Sequence, residues 1–373
     1  MKVLHFHPDG RMASRFIDPL VTAERVHGIE STLITSIGRS GTSDGQVSYD
    51  LSLRNLLGLP LTLLRICWII GERRPDIVIS HNTKSSLLPL LSAWLMGVKD
   101  RVYFNHGVPY VGYTGVLRWL LCSLEHLNCI FATRVLTVSP DMAAPLSAVR
   151  KQARPTIILR GSACGIDLRD YNPELFKKSA WRQNNHISTN DTVIVFVGRP
   201  ERRKGFEHVL RLWSEYLTES KYKLVLCGPG PIDVLRVIPS IPPNVISLGF
   251  VDNVPEILSQ ADGLIMTSYH EGLSYAVLEA MASRCVVFAN DIEGVRCLVL
   301  DGVNGYLVQN NDPTTYASLI KSMAFDKEST RDVRDKAVIT AGWYSRDLFL
   351  PAYLSFLEGL IKGRRRRSID NAA

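Results

Sequence analysis

"TVIVFVGRPERRKGFEHVL", Thr192 to Leu210, begins as a β-branched apolar run, turns at Gly198 and closes on a helical pattern. The same unit recurs along almost the whole chain. A first set of strands is expected at "KVLHF", "STLITS", "DIVISH", "RVYFNHG", "RVLTVS" and "TIILRG". A second set is expected at "TVIVFVGR", "YKLVLCG", "NVISLGF", "GLIMTS", "CVVFAN" and "GYLV". Short strands alternating with longer helices are the signature of parallel sheets wound with helices.

Between the two sets, "GSACGIDLRDYNPELFKKSAWRQNNHISTND" is polar, bears glycine and has little periodicity, which reads as a linker. A chain of 373 residues is also long enough for two cores. The expected fold class is therefore α/β, with one Rossmann-like domain over residues 1–165 and a second over 166–346. Residues 347–373 carry a final helix with Leu350, Leu354, Leu357 and Ile361 at helical spacing. That helix either caps the second domain or crosses back to the first. Two such sheets facing each other leave a cleft lined by the carboxyl ends of their strands, where ligands usually sit.

The composition, 46% apolar and 21% charged, is that of an ordinary globular protein. The tail "KGRRRRSIDNAA" supplies five cations against Asp370, which is +4 of the net +7, so the remainder carries only about +3. No aromatic residues interleave with those arginines, which argues against nucleic acid and leaves a solvated tail or an anionic membrane surface. Seven scattered cysteines with no Cys-x-x-Cys pair point to reduced thiols and no structural metal. "MKVLHFHPDGR" has no apolar signal segment, and no run of 18 apolar residues occurs. A cytoplasmic protein is expected, at most peripheral on the inner face of the plasma membrane.

Two constellations carry candidate chemistry. After Gly198 come Arg199, Lys204 and Gly205, just before a helix begins. A guanidinium fork, a compact ammonium and a helix start at one strand end suit a diphosphate, although Arg202 and Arg203 also allow a plain solvated basic loop. In "SYHEGLSYAVLEAMASR" Glu271 precedes a helix and Glu279 lies inside it. Ser268 and Glu271 can form a capping box there. The backbone at Gly272, Leu273 and Ser274 can instead approach a ligand closely. A carboxylate at that place repels phosphate but accepts hydrogen bonds from a vicinal diol. One Glu on a hexose and one on a ribose, with Arg and Lys on the diphosphate between them, describe a nucleotide sugar.

These residues, with "EGVRCLVLDGVNGYLV", resemble the C-terminal half of the retaining glycosyltransferases of family 4, which have the GT-B fold and a Glu-x7-Glu signature. The resemblance implies that Arg199 and Lys204 hold the donor diphosphate and that the backbone at Gly272 and Leu273 meets its phosphates, with Gly198, Gly228 and Ser274 also among the donor-binding residues. It places Glu271 on the transferred sugar, Glu279 on the ribose, and Phe250 and Val251 near the base. The N-terminal half is similar more loosely through "DIVISHNTKSSLLPLLSAWLMGVKDRVYFNHG", which carries His106 to the reacting centre. Catalytic roles are thus implied for His106, Glu271, Arg199 and Lys204, and acceptor-side roles for Gly10, His81, Asn82 and Tyr110.

The sequence departs from the family at three places. Only Gly10 stands where many members have paired glycines, Cys297 follows "EGVR" where Glu is common, and His270 stands where Arg is common. Two apolar helices, "LTLLRICWIIGERR" and "VLRWLLCSLEHLNCIFA", read as buried against the sheet, with an interfacial role as the alternative.

The expected activity is retaining transfer of a hexose or N-acetylhexosamine from a UDP-sugar to a saccharide, as implied by the resemblance. The acceptor is expected to be lipid-linked, in polysaccharide, lipopolysaccharide or capsule biosynthesis, with no metal and no cofactor beyond the donor. A nucleotide-sugar 2-epimerase of similar architecture and a non-catalytic nucleotide-sugar-binding protein are the alternatives. A dinucleotide oxidoreductase is disfavoured because "HFHPDGRMASRF" lacks the Gly-x-Gly-x-x-Gly turn.

Overall fold

The computed structural model describes residues 1–35, 58–150, 155–326 and 328–370, with Arg11 and residues 364–370 described by their backbone alone. The chain divides into two compact units, Met1–Gly165 together with the segment from Arg346 onward, and Ile166–Ser345.

The first unit is a parallel five-stranded sheet of β1 (Lys2–His7), β2 (Glu30–Thr35), β3 (Ile77–His81), β4 (Asp100–Asn105) and β5 (Arg134–Thr137), in the order β2-β1-β3-β4-β5. The direction of progress reverses between β1 and β3, which register Val3 against Ile77 and Phe6 against Ser80. Such a switch point is where ligands settle in open α/β sheets. Leu4, Phe6, Ile34 and Val78 pack with Ile66, Ile69 and Ile70 of the helix Leu59–Arg73.

"TIILRG" does not form the expected strand. Only one bridge, Leu136 to Thr156, is made. Leu159 and Gly161 take φ of 55° and 99°, a left-handed backbone that a sheet ladder excludes.

The second unit is a parallel six-stranded sheet: β6 (Thr192–Val197), β7 (Tyr222–Cys227), β8 (Val245–Gly249), β9 (Gly263–Met266), β10 (Val286–Asn290) and β11 (Tyr306–Val308). The order β11-β10-β9-β6-β7-β8 puts its switch point between β6 and β9. Ile194, Phe196, Leu224, Ile265 and Phe288 form a core with Val209, Leu210 and Trp213 of the helix Phe206–Tyr216.

Most of the expected linker belongs to this second unit. Arg182 donates to Asp262 at 3.1 Å and to the Gln260 carbonyl at 2.8 Å, and Ser179 donates to Glu256 at 2.6 Å. Its polar side chains lack periodicity because they bond to helix ends and loops rather than facing a core.

The final helix, Arg346–Asp370, groups with the first unit, where Tyr353 Oη donates to Glu24 at 2.6 Å. Its buried stripe is Phe349, Tyr353, Leu354, Leu357 and Leu360, rotated from the expected one, since Leu350 and Ile361 are only partly buried. The backbone stays helical through Arg364–Arg367, whose side chains lie outside the described residues. Among the described residues no helix is long and apolar enough to cross a membrane.

Candidate functional site

Two loops meet at the switch point of the second sheet. One leaves β6 at Gly198, makes a single 3₁₀ turn over Arg202–Lys204, and enters the helix Phe206–Tyr216 through Gly205. Gly205 has φ of 69°, and a Cβ there would lie 2.0 Å from the Thr267 carbonyl oxygen. Only glycine permits this backbone contact. Thr267, just past β9, donates its hydroxyl to the Gly205 carbonyl at 2.9 Å. The loop after β6 is thereby fastened to the loop after β9.

The consequence is the central ion pair. Lys204 Nζ lies 2.6 Å from Glu271 Oε1, which also accepts the Ser268 hydroxyl at 2.7 Å. Arg203 stands 3.8 Å from the other carboxylate oxygen and donates to the His270 carbonyl at 3.1 Å. Burial opposes ionisation of Glu271, but Lys204 first, then Arg203 and Ser268, outweigh it and hold the carboxyl below its ordinary range. Arg199, paired with Glu201 at 2.9 Å, remains largely exposed.

The capping box is corrected. The helix Tyr275–Ala282 has Ser274 at its N-cap, and Ser268 spends its hydroxyl on the Glu271 side chain instead. Gly272 and Leu273 lie between Glu271 and that helix start, while Glu279 is buried in its second turn. The segment is braced from behind: Asn290 donates to the Ser268 carbonyl at 2.9 Å and Asn311 to the Thr267 carbonyl at 3.0 Å. Gly228 follows β7 and lies against Gly198, where a Cβ would meet the Gly198 carbonyl oxygen at 2.0 Å. Past β8, Phe250 is 75% exposed, leaving its ring open, and Val251 is partly buried.

Of the departures, the His270 carbonyl serves as the acceptor for Arg203, and the Cys297 carbonyl accepts the Tyr344 hydroxyl at 3.1 Å. Sequence reasoning named Gly205 at this loop but passed over Thr267 and the part Arg203 plays. Arg203 looked like loop charge, and nothing local marks Thr267 as the residue behind Gly205.

The first unit gathers histidines at its own switch point. His5 and His7 lie on β1, His81 ends β3, and His106 follows β4, with His106 Nε2 2.9 Å from His81 Nδ1. Burial, followed by the nearby His7, lowers His106 to about 3, and burial lowers His7 to about 4. His81, expected as an acceptor contact, is fully buried with both ring nitrogens engaged by His5 and His106. Tyr110 is likewise buried, packed with Val108, Leu121 and Met142, and Arg118 lies over its ring. Asn82 donates to His7 Nε2 at 3.0 Å, and Gly10 opens the helix Gly10–Phe16.

The bond file of these imidazoles continues to Glu24, a residue the sequence reading missed. The alternation "HFH" on one strand was the available signal. Below this loop, Glu125 Oε1 accepts from Tyr103 and Asn105, each at 2.7 Å, and Asn105 also receives the Gly107 amide. Burial raises Glu125 to about 7 against those hydrogen bonds.

Comparison with known proteins bears on both units. Residues 177–338 match the family described as glycosyl transferases group 1, and residues 28–160 match the glycosyl transferase 4-like domain. The lipopolysaccharide core biosynthesis glycosyltransferase LpsE of Rhizobium meliloti is 24% identical over 96% of this chain and 99% of its own. The Escherichia coli UDP-Gal:alpha-D-GlcNAc-diphosphoundecaprenol alpha-1,3-galactosyltransferase is 22% identical over 71% of this chain and 70% of its own. Among solved structures, HepE of Anabaena in complex with UDP-glucose superposes with a TM-score of 0.78 at 16% identity, covering 96% of this chain and 100% of HepE. The architecture, two parallel-sheet Rossmann-like units, is that of GT-B glycosyltransferases.

Proposed function

We propose that this chain, which belongs to the glycosyltransferases joining a 4-like domain to a group 1 domain, moves a sugar from a UDP-sugar to a lipid-linked saccharide with retention at the anomeric carbon. It is a glycosyltransferase of cell-surface polysaccharide or lipopolysaccharide biosynthesis. The observation that carries the reading is the Lys204–Glu271 pair, held at 2.6 Å at the switch point where such folds bind ligands. The donor and acceptor named for the Escherichia coli relative and the nucleotide sugar in the Anabaena complex support the choice of UDP-sugar and lipid carrier.

In this reading the donor diphosphate draws Lys204 away from Glu271, and exposed Arg199 closes as a bidentate fork. The two cations and the backbone at Gly272 and Leu273 meet the charge that grows on the departing diphosphate, so the transition state gains more than the ground state. Glu271, released from Lys204, accepts hydroxyls of the transferred sugar. Its oxygen is held in place by Ser268, which suits hydrogen bonding rather than attack, in keeping with displacement on one face. Glu279 holds the ribose and the open Phe250 ring covers the base. His106 hydrogen-bonds at the transferred sugar.

A lipid-linked acceptor calls for a membrane-facing surface, and the first unit offers one. The two helices expected to be buried each bury only one face. Leu59–Arg73 leaves Leu61, Leu64 and Trp68 exposed, and Gly115–Phe131 leaves Val116, Trp119 and Leu120 exposed beside Arg118. Exposed Trp and Leu with intervening Arg suit the interface of an anionic bilayer.

A panel of UDP-, GDP- and ADP-sugars with a lipid-linked acceptor, and NMR of the product's anomeric centre, tests the proposal. Preference for another nucleotide or an inverted product would overturn the donor or the stereochemistry. Interconversion of free UDP-sugar without acceptor would overturn transfer itself. Sedimentation with phosphatidylglycerol vesicles tests the surface: Trp119→Glu with Leu120→Glu should abolish co-sedimentation, and unchanged binding removes the membrane role.

A further inference from the structure

At the switch point of the first sheet four ionisable side chains stand in single file. Both carboxylate oxygens of Glu24 lie 3.1 Å from His5 Nε2; His5 Nδ1 lies 3.1 Å from His81 Nε2; His81 Nδ1 lies 2.9 Å from His106 Nε2. Glu24, His5 and His81 are each 0% exposed. Ser31 and Tyr353 donate their hydroxyls to the same carboxylate. Burying a carboxylate and two imidazoles where apolar side chains would fill the space is costly for stability alone.

We propose that Glu24, His5 and His81 are positioning residues that fix the tautomer of His106, so that His106 Nδ1 faces substrate as a hydrogen-bond acceptor. The inference rests on the place of His106 at the transferred sugar and adds what sets its protonation. A carboxylate can only accept, so His5 carries its proton on Nε2. His5 Nδ1 is then a lone pair, and His81 must donate to it from Nε2. His81 Nδ1 becomes a lone pair in turn, and His106 must donate from Nε2. The unprotonated nitrogen of His106 is therefore Nδ1, and a donor sugar hydroxyl is the partner it accepts.

The assignment takes His5 as neutral, since a doubly protonated His5 would donate from both ring nitrogens. Burial opposes ionisation of Glu24, yet His5, Ser31 and Tyr353 hold its carboxyl below the ordinary range. Burial and the neighbouring imidazoles keep His81 neutral, and burial does the same for His106. One added proton, placed on His5 Nδ1, would reverse the two bonds between imidazoles, leave the bond to Glu24 as it is, and make His106 Nδ1 a donor. The file thus has two polarities, and the carboxylate selects one.

Tautomers are read directly by ¹⁵N NMR of the full chain labelled at histidine, with His106→Asn identifying the resonance. In the unmutated protein His106 should show a protonated Nε2 and an unprotonated Nδ1; a protonated Nδ1 overturns the proposal. Glu24→Ala should lower kcat about ten- to hundredfold, the scale seen when a carboxylate that orients a metal-bound imidazole is removed, with little change in donor KM. A loss confined to KM overturns the positioning role, as does full turnover. Should Glu24→Ala fail to fold, the spectrum of the unmutated protein still decides. The expected tautomer without any sugar transfer would sink the transferase reading and leave the file intact. Transfer with a protonated His106 Nδ1 would do the reverse.

Discussion

Lys204 and Glu271, 67 residues apart in sequence, form a 2.6 Å ion pair whose carboxylate side chain is only 9% exposed. Two residues with separate ligand partners in the proposed complex hold each other when the donor is absent. Lys204→Met should therefore act twice. Transfer should fall by at least about a hundredfold, because a cation facing the departing diphosphate is lost. Stability should also fall, by about 1–3 kcal/mol, since Glu271 keeps only Ser268 and Arg203 at 3.8 Å. A double-mutant cycle with Glu271→Gln, followed by urea unfolding, measures the pair. Strict additivity would mean the two residues do not communicate.

The two glutamates should fail differently toward UDP, which has the ribose and diphosphate but not the transferred sugar. Glu279→Gln should weaken UDP binding about tenfold, the worth of one charge-assisted hydrogen bond. Glu271→Gln should bind UDP as well or better, because Lys204 is freed from its partner, while turnover with a UDP-sugar collapses. Titration calorimetry distinguishes the cases, and equal weakening by both variants would sink the division of roles.

Gly205→Ala tests the fastening of the two loops. The new Cβ would sit 2.0 Å from the Thr267 carbonyl, on a backbone of φ 69°. Gly302 has the same φ of 69° with nothing within 4 Å, so Gly302→Ala isolates the conformational cost, about 1 kcal/mol. In thermal unfolding Gly205→Ala should cost clearly more than Gly302→Ala and abolish transfer. Equal shifts would show that the loops yield to each other.

Glu125 should make stability depend on pH. Burial raises its carboxyl to about 7 in the folded protein, against 4.5 as its ordinary value. Between those values the unfolded chain releases the proton while the folded one retains it, so stability falls as pH rises from about 4.5 to 7 and then levels off. The loss is about 3 kcal/mol by the linkage constant. Glu125→Gln keeps the bonds to Tyr103 and Asn105 without the ionisable proton. Denaturant midpoints should then become flatter over this range and higher at pH 8; an unchanged slope would rule out Glu125 as the source.

Much of the site was legible because its signals are local. Strand, glycine and basic turn after β6, and Glu-x7-Glu around a helix start, are patterns a short window contains. The terminal helix was legible as a helix, yet its buried face was not, because Phe349 and Tyr353 are selected by the unit they pack on. The expected strand "TIILRG" failed because β propensity at Ile157 and Ile158 competes with left-handed backbone at Leu159 and Gly161, and the turn prevails.

The amino-acid order by itself determined the alternation of strands and helices, the two sheets, and the residue types offered at each strand end. Periodicity and turn chemistry act over a few residues, so they can be read from the chain directly. Tertiary structure alone decided that Lys204 pairs with Glu271. It also decided that His106 stands at the end of a file reaching through His81 and His5 to Glu24 and Tyr353. Ion pairs and proton positions depend on distances of a few ångströms between residues far apart in sequence, and only packing sets those distances.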